Sequence, residues 1–204
     1  MMKVVVVTGG IGSGKTSVCR LLAEKYGIPV YEADRRAKEL YTEFPSMLDR
    51  MESVLEVSLR DDSGEFVPAR LADVIFNDAD ALGMVEDMLF PVMKEDFASW
   101  AKGYETVAFE SATILEKPQF DGFGDIVLLV DAPVPLRLAR AMERDCVDEA
   151  EVISRMEVQP LMNFLSEGGR ISRVDHVLMN DSSLEKLDRD LAEFMGKYGL
   201  TKML

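Results

Sequence analysis

The sequence predicts an α/β fold in which helices cover a doubly wound parallel sheet, and two observations carry this prediction. Short β-branched runs alternate with amphipathic helical patterns along the chain, as expected for parallel strands joined by crossover helices. The first run, Val4–Val7, continues through Thr8 into the glycine-rich segment Gly9–Thr16. That segment reads Gly-Gly-Ile-Gly-Ser-Gly-Lys-Thr, the phosphate-binding P-loop pattern G-x-x-x-x-G-K-[ST], and it stands between a strand and a helix as the motif requires.

Each element of the predicted sheet has its own local signal. Gly27 ends the helix after the P-loop, and the unbroken apolar run before Asp131 suits a central parallel strand. The predicted strands are 3–8, 28–31, 106–109, 126–130 and 176–179. The predicted helices around them are 15–26, 134–145, 149–159 and 184–198. The fold class is therefore an α/β, P-loop NTPase and nucleotide-kinase-like parallel sheet.

Three parts of the chain are predicted from the spacing of these elements. Residues 33–102 are mainly helical without a strong strand signal, which indicates a helical insertion at 32–103, and Phe90-Pro91 interrupts its last long helix. The P-loop core takes residues 1–31, 104–135 and 172–204, and a helical lid takes 136–171.

Composition excludes several classes of partner. The chain has 204 residues, a net charge of −14 and a pI near 4.5, which argues against binding to nucleic acid. No apolar run reaches about 18 residues, so no membrane span is expected, and the immediate first strand leaves no room for a signal peptide. Cys19 and Cys146 fit no metal spacing, which favours reduced thiols and a cytoplasmic location.

The P-loop predicts a nucleoside triphosphate site in which different groups of the loop bind different parts of the ligand. Its backbone N–H groups and the following helix N-terminus attract phosphate oxygens. Lys15 reaches the terminal phosphates, and the Thr16 hydroxyl ligates Mg²⁺ together with ATP. The residues expected to bind ATP here are Gly10, Ile11, Gly12, Ser13, Gly14, Lys15, Thr16 and Ser17.

Carboxylates follow two other predicted strands. Glu32 and Asp34 come just after the second strand, where they could take a proton from a hydroxyl or hold magnesium through water. An equally simple interpretation is that Asp34 caps the next helix. Glu110 ends the third strand, beside the P-loop strand. It either interacts with magnesium indirectly, beyond the residues that bind the ion, or contacts the substrate, or is simply a polar residue at a strand end.

Arginines concentrate on one predicted helix of this acidic chain. Arg137, Arg140 and Arg144 recur at spacings of three and four, which places them on one helical face. They could form a lid that neutralises charge on a transferring phosphoryl group, or a solvated face, since acidic residues interleave with them. His176, the only histidine, is expected to be structural, and no zinc cluster, Ser-His-Asp arrangement or guanine-reading Asn-Lys-x-Asp segment is present.

Taken together, these motifs resemble the dephospho-coenzyme A kinase family along nearly the whole chain. Thr8–Lys15 matches the opening motif of that family, and Glu32-Ala33-Asp34 falls on its Asp-x-Asp. The remaining matches are Phe90-Pro91 on a His-Pro pair, Glu110–Glu116, Arg140–Asp145 on the lid motif Arg-x-x-x-Arg-Asp, Gln159, and Val177–Asn180. The resemblance implies a kinase that uses ATP and Mg²⁺ to phosphorylate the ribose 3′-hydroxyl of dephospho-coenzyme A (dephospho-CoA).

The resemblance also implies roles for single residues. Lys15, Asp34 and Arg140 would be catalytic, with Asp34 as the base toward the hydroxyl. Arg144 and Asn180 would contact ATP. The positions expected on the substrate side are Thr8, Glu32, Phe90 and Glu110.

Three departures from the family pattern lie on the acceptor side. Glu32 replaces an aspartate, Phe90 replaces a histidine, and Ser111–Thr113 replaces a Pro-Leu-Leu type segment. They keep open a second interpretation, another P-loop kinase of small molecules, nucleosides or nucleotides. A nucleotide-binding sensor without catalysis is the third interpretation, and the combination of Asp34 with Arg140 argues against it.

Overall fold

The structure is a computed structural model that describes residues 2–157, 159 and 171–200. Part of the predicted lid, residues 158 and 160–170, lies outside the described residues, as do the last four residues of the chain. The chain divides into two compact units, 1–31 with 104–204 and 32–103, and each is described by itself.

The first unit is built on a five-stranded sheet. Its strands are β1 (Lys3–Thr8), β2 (Val30–Glu32), β3 (Thr106–Glu110), β4 (Ile126–Asp131) and β5 (His176–Met179). They lie in the order β2-β3-β1-β4-β5, and β1 pairs in parallel with both β3 and β4. The strand order reverses around β1, and ligands of such sheets bind beyond the carboxyl ends of the strands at this reversal.

Helices of this unit are α1 (Lys15–Tyr26), α6 (Val134–Asp145), α7 (Glu149–Glu157) and α8 (Leu184–Lys197). One face of the sheet packs against α1 and α8 through a continuous apolar core that includes Val5, Leu128, Leu22 and Phe194. An aromatic group covers part of the opposite face, where the Phe109 ring lies 5.3 Å from that of Tyr31 and 4.8 Å from that of Phe123. The central strands β1, β3 and β4 are thus buried on both faces, which explains their unbroken apolar sequences, whereas Val177 and Met179 of the edge strand β5 are exposed.

The second unit consists of four helices. They are α2 (Ala33–Glu43), α3 (Pro45–Leu55), α4 (Pro68–Asn77) and α5 (Ala79–Trp100). The Asp78 carboxylate caps α5 by accepting the backbone N–H groups of Asp80 and Ala81 at 2.9 and 3.0 Å. Arg36 links α2 to α5 through a two-bond pair with Asp96, in which both N–O distances are 2.8 Å.

Two elements differ from the sequence-based expectation. The second strand runs from Val30 to Glu32 rather than from 28 to 31. It begins after Pro29 because proline has no N–H to donate to a neighbouring strand. The Pro29 carbonyl accepts the N–H of Ala108. Helix α5 runs through Pro91 as one helix, so the predicted interruption at Phe90-Pro91 is wrong. No described helix has the length and apolar character to span a membrane.

Candidate active site

The P-loop connects β1 to α1 in a conformation that only glycine adopts without strain. Gly12 has φ +73°, and a Cβ there would overlap the carbonyl oxygen of Arg137. The loop closes on itself through a 3.1 Å bond from the Ser13 N–H to the Gly10 carbonyl. The Gly14 carbonyl then accepts the Ser17 N–H at 3.0 Å and so starts α1. The free N–H groups of this helix start are the phosphate-binding groups that the motif predicts.

Lys15 lies inside the loop. Its ammonium donates to the carbonyl of Gly9 at 2.8 Å and to that of Gly10 at 3.4 Å. The carboxylate of Glu110 is 4.0 Å away, because the parallel register places Glu110 opposite Val7 at the end of the neighbouring strand. The ammonium could exchange these carbonyl oxygens for phosphate oxygens with only a small movement of the side chain.

Asn180 follows β5 and joins three parts of the first unit. Its side-chain N–H donates to the Ser13 carbonyl at 2.9 Å, and its backbone N–H donates to the Asp131 carbonyl at 2.7 Å. Its own carbonyl accepts the guanidinium of Arg140 at 3.0 Å. The sequence-predicted Asn180, Arg140 and P-loop are therefore brought together at the carboxyl ends of the strands, and a contact of Asn180 with ATP stays a prediction.

The three arginines of α6 do not form one uniform face. Arg140 reaches Asn180, whereas Arg144 is exposed and makes a two-bond pair with the neighbouring Asp145 at 2.7 and 2.8 Å. The Asp145 hydrogen bonds raise the pKa of Arg144. Arg137 is buried beneath the P-loop, so neither the lid stripe nor the solvated face describes all three.

Two side chains that contact the P-loop, those of Gln159 and Arg137, were not among the residues predicted to bind ATP. The backbone N–H of Ile11 donates to the Gln159 side chain at 3.0 Å, and its carbonyl accepts the Arg137 guanidinium, also at 3.0 Å. Gln159 matches the family motif of the lid, but nothing in the sequence indicates that it holds the loop. Arg137 could have been suspected only from its position three residues before Arg140.

Thr8 and Thr16 occupy different environments at the two ends of the loop. Thr8 is fully buried, and its hydroxyl donates to the Ala112 carbonyl at 3.3 Å, which ties β1 to the segment after β3. A substrate contact by Thr8 stays a prediction and would require this bond to be exchanged. Thr16 is exposed in the first turn of α1, and ligation of Mg²⁺ by its hydroxyl stays a prediction.

Glu32, Asp34 and Phe90, which are predicted to act on the acceptor, lie in the second unit, whereas Thr8 and Glu110 lie in the first. Asp34 is exposed in the first turn of α2, and the N-cap position belongs to Glu32, which makes no side-chain capping bond. The interpretation of Asp34 as the N-cap is therefore wrong. The Glu32 carboxylate lies 3.2 Å from Arg35, and Phe90, which stands where the family pattern has a histidine, is buried on α5.

Comparison with known proteins decides between the kinase families. The sequence profile named "Dephospho-CoA kinase" matches residues 3–186 of this chain. The chain belongs to the dephospho-CoA kinase family. A dephospho-CoA kinase of Porphyromonas gingivalis is 37% identical over 176 residues, with 85% of this chain and 84% of that protein covered. The corresponding protein of Chlorobaculum tepidum is 35% identical, with 89% and 88% covered.

A solved structure supports the same assignment at the level of the fold. A crystal structure from Thermus thermophilus superposes with a TM-score of 0.80 at 27% identity, with 96% of this chain and 97% of that chain covered. Family membership makes this chain a P-loop kinase of coenzyme A biosynthesis that uses ATP and phosphorylates dephospho-CoA. The family, fold class and activity predicted from the sequence are confirmed.

Proposed function

We propose that this chain transfers the γ-phosphoryl group of ATP to the ribose 3′-hydroxyl of dephospho-CoA, with Lys15 and Arg140 acting on the phosphates and Asp34 on the hydroxyl. The observation that carries the donor half is the convergence of the P-loop, Asn180 and Arg140 at one end of the sheet. Phosphoryl transfer needs reactants in line and charge neutralised, rather than a covalent intermediate.

The donor side supplies positive charge from fixed positions. Lys15 exchanges the carbonyls of Gly9 and Gly10 for β- and γ-phosphate oxygens. Arg140, held by the Asn180 carbonyl at 3.0 Å, faces charge that develops on the transferred group. Arg144 exchanges part of its pairing with Asp145 for ATP. The positive groups are thus paired with exchangeable partners before ATP arrives.

The residues around Thr16 fit Mg²⁺. Among the described residues, no group of three or more acidic, histidine or cysteine side chains could hold a metal ion by itself. Mg²⁺ in kinases is held mainly by substrate phosphates and waters with one or two protein ligands, so the exposed Thr16 hydroxyl suffices. The bound ion would neutralise phosphate charge, and Glu110 would act on the same side, since its carboxylate lies 4.0 Å from the Lys15 ammonium.

Asp34 is the carboxylate assigned to the acceptor hydroxyl. It is exposed in the first turn of α2, two residues after the end of β2. In this role it orients the 3′-hydroxyl and accepts its proton as the phosphoryl group arrives. The helical unit would hold the rest of dephospho-CoA, including its pantetheine arm, and Glu32 and Phe90 are assigned to that substrate.

Replacement of Asp34 by Asn tests the assignment of the base. The variant keeps the size and polarity of the side chain but cannot accept a proton, so we expect kcat to fall by about 10²- to 10⁴-fold. The dissociation constant for ATP should stay within about twofold of the wild-type value. Steady-state kinetics with dephospho-CoA and calorimetric titration with ATP measure the two quantities.

The matched control for this experiment is Asp62→Asn. Asp62 is an exposed carboxylate in the turn of the same unit, and its neutralisation should leave both constants unchanged. Near wild-type turnover of the Asp34 variant would contradict the assignment.

We also propose that the protein is cytoplasmic, because neither Cys19 nor Cys146 forms a disulfide bond.

A further inference from the structure

Arg137 is a buried arginine that forms no ion pair with any described residue. Only 1% of the residue is exposed, although arginine is among the side chains least often buried. Its Nε donates to the Ile11 carbonyl at 3.0 Å, whereas its Nη2 has no hydrogen-bond partner in the part of the chain that the structure describes. Burial lowers the pKa of Arg137, and the negative charge of Asp131 offsets only part of this effect. No described acidic side chain forms an ion pair with it.

Such a side chain costs stability, so a structural role does not account for it. A buried charge without an ionic partner is unfavourable, and an unbranched apolar side chain such as methionine would fill most of the same space without that cost. The chain also has a net charge of −14, so acidic partners are plentiful. The position of the guanidinium beneath the phosphate-binding loop offers a functional reason.

The backbone geometry of the loop shows what Arg137 controls. The Ile11 carbonyl and the Gly12 N–H belong to one planar peptide, and in a trans peptide these two groups point in opposite directions. The structure contains no cis peptide bond among the described residues. By holding the Ile11 carbonyl on the side of α6, Arg137 directs the Gly12 N–H to the other side of the loop.

The preceding peptide is held in the same way. Gln159 accepts the Ile11 N–H at 3.0 Å, and the Gly10 carbonyl of that peptide points to the opposite side, 3.4 Å from the Lys15 ammonium. Across this peptide, the side away from Gln159 is therefore the side of Lys15, the residue assigned to the phosphates.

Packing fixes the position of the P-loop relative to Arg137. Ile11 packs against the small apolar cluster of α6 and α7, whose buried members are Ala141, Val152 and Met156. The close approach of Gly12 to the Arg137 carbonyl leaves no space for the loop to shift toward α6. A change of the Ile11–Gly12 peptide would therefore require rotation within the loop itself, and the Arg137 hydrogen bond opposes that rotation.

We propose that Arg137 is a positioning residue of the ATP site: it aims the Gly12 N–H at the triphosphate and places a fixed positive charge behind the loop. The proposal rests on the proposed function for the identity of the ligand as ATP. It assigns to the first turns of α6 a role in donor binding that is separate from that of Arg140.

Arg137→Met tests the proposal in the full-length enzyme. We expect ATP to bind about 10- to 100-fold more weakly, because a hydrogen bond from a charged donor and the charge itself are both lost. The KM for ATP should rise by a similar factor, and the KM for dephospho-CoA should stay within about twofold. Without nucleotide, the melting temperature should be unchanged or higher, whereas the increase in melting temperature produced by ATP should shrink.

Three further variants make the experiment specific. Arg189→Met removes an exposed arginine from α8 and should change none of these quantities. Arg137→Lys keeps the charge and should recover at least half of the loss in log affinity. Arg137→Gln keeps a neutral donor and replaces the methionine variant in the same measurements if that variant does not fold.

Two results would overturn the proposal. One is an ATP affinity of the methionine variant within about twofold of wild type, and the other is a lysine variant that binds ATP as weakly as the methionine variant. A melting temperature that falls without nucleotide, while the folded protein binds ATP normally, would likewise assign Arg137 a purely structural role. Failure of the proposed function is distinguishable, because it would abolish turnover of dephospho-CoA in the wild type and leave the ATP titrations intact.

Discussion

At the scale of single residues, Cys146 carries backbone strain. It ends α6 with φ +54°, a left-handed conformation that disfavours every residue with a Cβ and suits glycine. Its thiol has only a weak 3.8 Å contact with the Glu143 carbonyl, so little is gained in return. The strain is a property of the backbone at this one position rather than of the surrounding packing.

Cys146→Gly should therefore stabilise the protein. Relief of the left-handed strain is worth about 1–2 kcal/mol, and the greater freedom of glycine in the unfolded chain cancels about 0.5–1 kcal/mol of it. Thermal or denaturant unfolding measures the net gain. Cys146→Ala is the matched control, because it removes the thiol but keeps the Cβ. Equal stabilisation by both variants would mean that the thiol, and not the backbone, is responsible.

Ile11 shows a different residue-scale effect, since its identity in the P-loop motif is unrestricted. The loop pattern needs glycine, lysine and threonine at fixed positions and accepts many residues at this one. In the structure both backbone groups of Ile11 are bonded to side chains that follow more than 120 positions later in the chain. Its environment is therefore set by α6 and by Gln159 rather than by the motif.

At the scale of elements, the helical unit depends on an ionic link between its helices. Arg36 on α2 bonds Asp96 on α5 and also bonds both oxygens of Glu43, at 2.6 and 2.7 Å. The Arg36 hydrogen bonds lower the pKa of Glu43 below its ordinary value of 4.5. Because the ionised form is favoured in the folded state, the stabilisation is complete above pH 4.5 and is lost as the pH falls through the lowered pKa.

Arg36→Met should make the melting temperature of this enzyme depend less on pH in the acidic range. With the guanidinium gone, the pKa of Glu43 is no longer lowered by its hydrogen bonds to Arg36, so the slope of the melting temperature below pH 4.5 should become shallower than in the wild type. Differential scanning calorimetry between pH 3 and 7 (about 0.5 unit apart) measures the slope. Arg50→Met, at an exposed arginine of α3, should retain the wild-type slope. An unchanged slope in the Arg36 variant would contradict the expectation.

At the scale of the whole molecule, the acceptor is the property least constrained by the P-loop. The family model of the chain covers residues 3–186 and so includes the helical unit, which carries two of the three departures from the family pattern. Glu32 keeps a carboxylate, and Phe90 is a buried apolar residue. Neither change introduces a new polar group that would recognise a different acceptor.

A panel of acceptors should therefore favour dephospho-CoA. We expect its kcat/KM to exceed that of a nucleoside or a nucleoside monophosphate by at least about 10³-fold, since these lack the pantetheine arm whose binding energy helps to position the hydroxyl. Coupled measurement of ADP release with each acceptor provides the comparison, and ATP without acceptor provides the background. A nucleoside that reacts as well as dephospho-CoA would support the alternative of a nucleoside or nucleotide kinase.

The sequence by itself determined the P-loop, the parallel sheet and the kinase family, because these depend on local patterns. A β-branched strand, a glycine-rich turn and a helix start are adjacent in the chain, and the apolar runs mark strands buried on both faces. Only the tertiary structure decided how Arg137, Arg140 and Arg144 differ. Their spacing of three and four residues predicts one face, but burial depends on which distant residues pack against each position, and here the P-loop lies over Arg137 while Arg144 remains in solvent.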